Sequence, residues 1–248
     1  MEEKSKLEIS ELFELWDILH SQIKELCHDQ SDNLSYSKLS KLPFKTITIV
    51  YSMAWRMNDV EEAVRNLVDK NHIHPAIILI RSAMENTAFL HYLYREINNN
   101  IVDGKLLQST DDLLMQMLYG NNYKEGEFIT EESFESFSQY NAIRTWQLMQ
   151  AIDLRFPGYY PMYRALCEFV HTNGDGAEGS YMTLDIENDI SYFDRKLTEQ
   201  NSLFKPFLSS LILALSIFVE LVDEIQKVFP QFIQICDDNI REKLNLNS

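Results

Sequence analysis

Residues 76–97, AIILIRSAMENTAFLHYLYREI, are apolar on nearly every side of a helix. A surface helix confines its apolar residues to one stripe, so a segment apolar all round has to lie inside other elements. No other feature constrains this chain as strongly: several further helices must surround the segment. Pro75 stands in the first turn, where a proline is best tolerated. The run NNNIVDGKL is expected to break the helix. Seven Gly and six Pro are few for 248 residues, which argues against the tight turns of an all-β fold.

The surrounding helices are legible from periodicity. Ile9, Leu12, Phe13, Trp16, Leu19, Ile23 and Leu26 recur at spacings of three and four, an amphipathic helix over 7–27. A second, longer helix is expected over 46–68. STDDLLMQML starts another, with Ser109 or Thr110 as its N-cap. Thr130 is expected to cap EESFESFSQYNAIRTWQLMQAI, which Pro157-Gly158 ends. An acidic linker of weak structure is expected over 174–190. Two C-terminal helices, 203–228 and 231–244, are expected on either side of Pro230. Trp16, Trp55 and Trp146 fall at apolar helical spacing, which places them in the core rather than on a base-stacking platform. The fold class is therefore all-α: a helical bundle in one domain, 1–248, with the helix and loop of residues 1–40 at its periphery.

Charge and cysteines bound the setting. The net charge is −16, from 38 acidic and 22 basic residues, which repels nucleic-acid backbones and anionic membranes. Cys27, Cys167 and Cys236 are odd in number and far apart, so no disulfide framework or zinc spacing forms, and a reducing cytoplasm is expected. The N-terminus is charged from its second residue and lacks the apolar core of a signal peptide. FLSSLILALSIFV, 207–219, is shorter than the roughly 20 apolar residues that span a bilayer. It is read as a buried core helix, with no membrane partner.

The stretch YRALCEFVHTNG carries the clearest chemical pattern. Arg164 and His171 stand at i and i+7, only about 20° short of two full turns and roughly 10 Å apart along the axis. Both side chains share one helix face, with Tyr163, Cys167 and Val170 on or near it. His171 is expected as the last helical residue, with Gly174 in the left-handed conformation that ends helices. A structural reading stands beside this one, because a histidine in a last turn is stabilised by the helix dipole. Arg81 and Glu85 form an i,i+4 pair on the central helix, either a salt bridge or a support for Arg164 and His171. His72 and His74 in NHIHP have no third ligand nearby, so no metal and no cofactor is expected.

The Arg164-x6-His171 motif on a late helix of an all-α bundle resembles the HEPN superfamily (higher eukaryotes and prokaryotes nucleotide-binding). More narrowly, LIRSAMENTAFLHYLYRE followed by YRALCEFVHTNG is similar to a bacterial HEPN-like group with R-x-x-x-E and Y-x-x-L-x-x-x-V-H segments. The resemblance implies a metal-independent endoribonuclease or toxin of a bacterial defence or stress system, acting as a homodimer. His171 would then move the proton, as histidines do near neutral pH. Arg164 would hold the phosphorane charge by bidentate hydrogen bonds. Arg81, Glu85, Tyr163 and Asn173 would support or edge the same cleft. The acidic balance fits a second reading, a catalytically silent HEPN-like module that binds a nucleotide, RNA or a protein partner such as an antitoxin or defence component. A plain helical scaffold is the third.

Overall fold

The computed structural model describes residues 8–120, 140–171 and 174–244. Among them run nine helices and one hairpin: α1 (Ile9–Glu25), α2 (Asn33–Tyr36), α3 (Leu42–Asp69), α4 (Ile73–Asp103), α5 (Ser109–Tyr119), α6 (Thr145–Asp153), α7 (Tyr159–Val170), α8 (Gly174–Tyr181), β1 (Met182–Asp185), β2 (Ile190–Phe193) and α9 (Phe204–Lys243). The all-α class holds, with β1 and β2 pairing only with each other, antiparallel from Met182 opposite Phe193 to Asp185 opposite Ile190.

The apolar segment occupies the place its composition demands. α4 lies at the centre, and α3, α6, α7 and α9 all pack on it. Ile77, Ala83, Met84, Ala88, Leu90 and Leu93 are fully enclosed. Three buried side chains fasten it to its neighbours. The Asn86 amide donates to the Met53 carbonyl of α3 at 3.0 Å. The Thr87 hydroxyl reaches the Ala214 carbonyl of α9 at 3.0 Å, and the Tyr159 hydroxyl of α7 donates to the Met84 carbonyl at 2.9 Å.

Several boundaries differ from the sequence expectation. α3 begins about one turn early, with Pro43 in its first turn. α4 continues through NNNIVD and stops at Gly104, which takes φ 63°. Asn100 is buried there and accepts from the Leu107 amide at 2.7 Å, folding the loop back onto the helix. Neither Ser109 nor Thr110 caps α5. The Thr110 hydroxyl is committed to Glu96 at 2.8 Å, and Gln108 stands at the boundary. The segment 174–190 is no loose linker but holds α8, β1 and the turn between the strands. Of the helix expected from Thr130, the first part lies outside the described residues; within them 140–144 are not helical, and α6 starts only at Thr145.

The two C-terminal helices are one. α9 runs 40 residues straight through Pro230. A proline inside a helix loses one hydrogen bond and crowds the carbonyl four residues back. Here Pro230 is on the exposed side, where water reaches the freed carbonyl, while Phe229, Phe232 and Cys236 carry the buried stripe past it. By length and apolarity α9 could cross a membrane; in the bundle its apolar face packs on α4 and α1.

α1 is not peripheral either. It packs on α9 and α3, and Trp16 is wholly buried. The fully buried carboxylate of Glu61 on α3 meets His20 Nδ1 at 2.6 Å and Arg65 Nε at 3.4 Å. Arg65 in turn lies 4.5 Å over the Trp16 ring and pairs with Asp17 at 2.7 Å. A buried carboxylate needs such partners. The other two tryptophans correct the core assignment: Trp55 is 42% and Trp146 49% exposed. Trp55 gives its Nε1 proton to the His28 carbonyl at 3.0 Å. Trp146 stands opposite the buried face of α6, made by Leu148, Met149, Ala151 and Ile152.

Two stability outcomes follow from these placements. Pro230→Ala restores a backbone donor on the exposed side without touching the buried stripe, and is expected to stabilise the fold by about 1–3 kcal/mol. An unchanged urea midpoint would contradict that. The second concerns His91, buried on α4 with no partner for Nδ1. Burial, with Arg155 and Arg95 nearby and only Glu224 opposing, pushes its pKa down to about 4. The unfolded chain takes up this proton near pH 6.5. Stability is therefore complete above that pH, is lost as pH falls from about 6.5 to 4, and levels off below, a loss on the order of 3 kcal/mol. Urea unfolding across this range should show a steeper fall for the native chain than for His91→Gln; parallel curves would refute it.

Candidate functional site

α7 owes its position to both of its neighbours. Gly158, at φ 99°, makes the turn that precedes it. The Asp153 carboxylate accepts from the Gly158 and Tyr160 amides, each at 3.0 Å, and so caps amides that the helix itself leaves without partners. Tyr159, buried and bonded to α4, fixes the rotation of the helix about its axis. Tyr163 and Leu166 follow at i+4 and i+7 and also turn inward. Arg164 is about 100° from Tyr163 and therefore faces solvent.

Tyr163, Glu85 and Arg81 come together between α7 and α4. The Tyr163 hydroxyl donates to Glu85 Oε1 at 2.7 Å, and Arg81 Nη2 lies 3.5 Å from the same oxygen. Burial and the acceptor carboxylate both raise the Tyr163 pKa. Burial opposes the charge on Arg81, and Glu85, Tyr163 and Cys167 outweigh it, so its pKa is raised. Arg81 Nε is buried without a hydrogen-bond partner. Glu85 also lines a cleft of about 390 Å³ with Ser52, Arg56, Asn86 and Met117. Cys167 is half-buried, and all three cysteines are free.

Arg164 and His171 do not join this cluster. Both are exposed, and neither forms a side-chain hydrogen bond or ion pair among the described residues. The expected common cleft is thus divided: Arg81, Glu85 and Tyr163 lie inside, Arg164 and His171 on the outer side of α7. Asn173 lies outside the described residues. His171 is not the last helical residue but the one after it, extended at φ −72° and ψ 146°, its amide still bonded to the Cys167 carbonyl at 3.2 Å. Gly174 opens α8 instead of ending α7. Gly176 explains the glycine-rich sequence: a Cβ there would fall 1.6 Å from the His171 carbonyl oxygen, so α8 folds against this turn only with glycine at that position.

The two histidines of NHIHP separate. His72 stands at the N-cap position of α4, where its side chain makes no cap hydrogen bond, whereas His74 Nδ1 meets the buried Ser180 hydroxyl at 2.7 Å, and burial lowers its pKa. Among the described residues no group of three or more His, Cys, Asp or Glu is placed to hold a metal ion. Sequence reasoning missed Tyr159, Ser180 and the capping role of Asp153, a candidate carboxylate partner for Arg164 that instead accepts from the Gly158 and Tyr160 amides. Only Asp153 left a signal, as an acidic residue just ahead of a Pro-Gly turn and a new helix.

Compared with known proteins, the chain matches no family model, no curated protein and no solved structure.

Tyr163→Phe removes the hydroxyl that Glu85 accepts and leaves the ring in place. A loss of about 1 kcal/mol is expected in urea unfolding. No loss, with α7 still docked, would show that this contact contributes nothing to the docking.

Proposed function

We propose that this chain is a HEPN-type, metal-independent endoribonuclease of the cytoplasm, working as a homodimer through the outer side of α7. One observation carries the reading. In a chain with 38 acidic and 22 basic residues, Arg164 and His171 stand exposed on one side of α7 with no intrachain ion pair among the described residues. Neither is consumed by the fold, so both are free to meet an anionic ligand.

The chemistry such a pair performs is phosphoryl transfer within RNA. His171 takes the proton from a ribose 2′-hydroxyl, and the 2′-oxygen attacks the adjacent phosphorus. Arg164 holds the charge on the equatorial oxygens with its planar fork. The bond to the 5′-oxygen breaks, and that oxygen receives a proton from His171 of the partner subunit. The products are a 2′,3′-cyclic phosphate and a 5′-hydroxyl. A two-fold contact supplies the second histidine without further sequence. Arg81, Glu85 and Tyr163 act from behind, holding α7 on α4.

The net charge of −16 favours a second reading, a silent module of the same kind that binds a nucleotide, RNA or a protein partner. One assay separates them. Single-stranded RNA is incubated with the native chain, His171→Ala and Arg164→Lys, in the presence of chelator. Cleavage by the native chain alone, ending in a cyclic phosphate, is the expected outcome. Arg164→Lys is impaired because a point charge cannot replace the fork. RNA left intact by a folded dimer would move the assignment to the silent module.

A further inference from the structure

We infer that the cleft between α4, α6 and the start of α7 is a nucleobase-binding platform, the place where a base next to the scissile phosphate stacks. The RNA part of this inference rests on the ribonuclease reading; the platform itself does not. The cleft holds about 610 Å³ and is lined by Tyr92, Arg95, Trp146, Gln147, Gln150 and Tyr160. Pockets of this volume fit ligands of nucleotide size.

The lining is of the kind a base recognises. Trp146 is 49% exposed, and burying so large a ring under a flat ligand is favourable. Stacking on an aromatic face suits every base, because each has a π surface. Arg95 lies 4.6 Å over the Tyr92 ring, which fixes the guanidinium while leaving its edge free to bind a phosphate. Gln147 and Gln150, exposed beside Trp146, offer amides that both donate and accept, as the edge of a base requires. Asp153 is the one acid in the lining, and one of its carboxylate oxygens is occupied by the Gly158 and Tyr160 amides.

Position connects this cleft to the proposed catalytic pair. Tyr160 and Arg164 are i,i+4 neighbours on α7. α7 ends at Val170, but the His171 amide keeps the helical bond to the Cys167 carbonyl, so its Cα continues the turn, about 1100° (roughly 20° beyond three full turns) and about 16 Å on from Tyr160. Tyr160, Arg164 and His171 therefore form one stripe that starts in the cleft. A strand stacked on Trp146 and Tyr160 runs past Arg164 towards His171.

Binding can be read without cleavage. The probes are a single-stranded 2′-O-methyl oligoribonucleotide, whose blocked 2′-oxygen cannot attack, and adenosine and uridine monophosphates. In a Trp55→Phe background, with Trp16 buried, the exposed indole is Trp146, and quenching of its emission reports stacking. The oligonucleotide is expected to quench, and anisotropy of a labelled copy to show about tenfold weaker binding by Trp146→Ala and by Tyr160→Ala. Quenching by the monophosphates alone keeps the platform and assigns it a free nucleotide. Quenching by none of the probes, as a cleft built for a peptide would give, overturns the inference. So does unchanged affinity in Trp146→Ala with its helical circular dichroism intact. Binding without cleavage of unmodified RNA refutes the ribonuclease reading and leaves the platform standing; cleavage unaltered by Trp146→Ala does the reverse.

Discussion

The arrangement of this molecule depends on α4 being enclosed along almost its whole length. Its apolar residues satisfy the hydrophobic effect only where neighbours cover them, and they are covered on every side but the strip that carries Arg81, Glu85, Arg95 and Asn99. Each of α3, α7 and α9 also shares with it one hydrogen bond from a buried side chain: Asn86 to Met53, Tyr159 to Met84, Thr87 to Ala214. Apolar packing by itself tolerates sliding and rotation. A buried donor left without its acceptor costs about 1–3 kcal/mol, so these bonds select one register among many. The rotation of α7 is the consequence on which the proposed function rests.

With Tyr159 fixed, the rest of α7 has no freedom. Tyr163 must meet Glu85, and Arg164 must face away from the core. The division of the expected cleft into an inner and an outer part follows from that geometry rather than from the chemistry of the residues. Arg81 and Glu85 form a half-buried ion pair that a tyrosine hydroxyl completes. Arg164 and His171 are left to the solvent. They stand beside the cleft lined by Trp146, Tyr160, Gln147 and Gln150, and it is this outer side of α7 that the proposed function uses.

Charge inside the bundle obeys the same rule of compensation. Glu61 is fully buried, and it is tolerated because His20 and Arg65 converge on it while Arg65 rests on the Trp16 ring. This cluster binds α1 to α3 and turns an expected outlying arm into part of the core. His91 takes the other course. It has no acid close enough to outweigh burial and two arginines, so it stays neutral.

What the sequence determined by itself was local and periodic. The apolar spacing in α1, the all-round apolarity of α4, the scarcity of glycine and proline, and the i,i+7 relation of Arg164 and His171 required an all-α bundle with α4 inside and those two residues on one face. Each of these follows from helix geometry, which acts over a few residues. Tertiary structure decided the rest. Pro230 reads as a break, yet the helix continues, because buried contacts of Phe229 and Phe232 on the far side outweigh one lost hydrogen bond. Trp16 and Trp146 have the same local pattern, but one is core and the other surface, since a neighbour covers only the first. Which way the Arg164–His171 face points was set by Tyr159 bonding a carbonyl 75 residues away. Periodicity fixes which residues share a face; only long-range packing decides what that face meets.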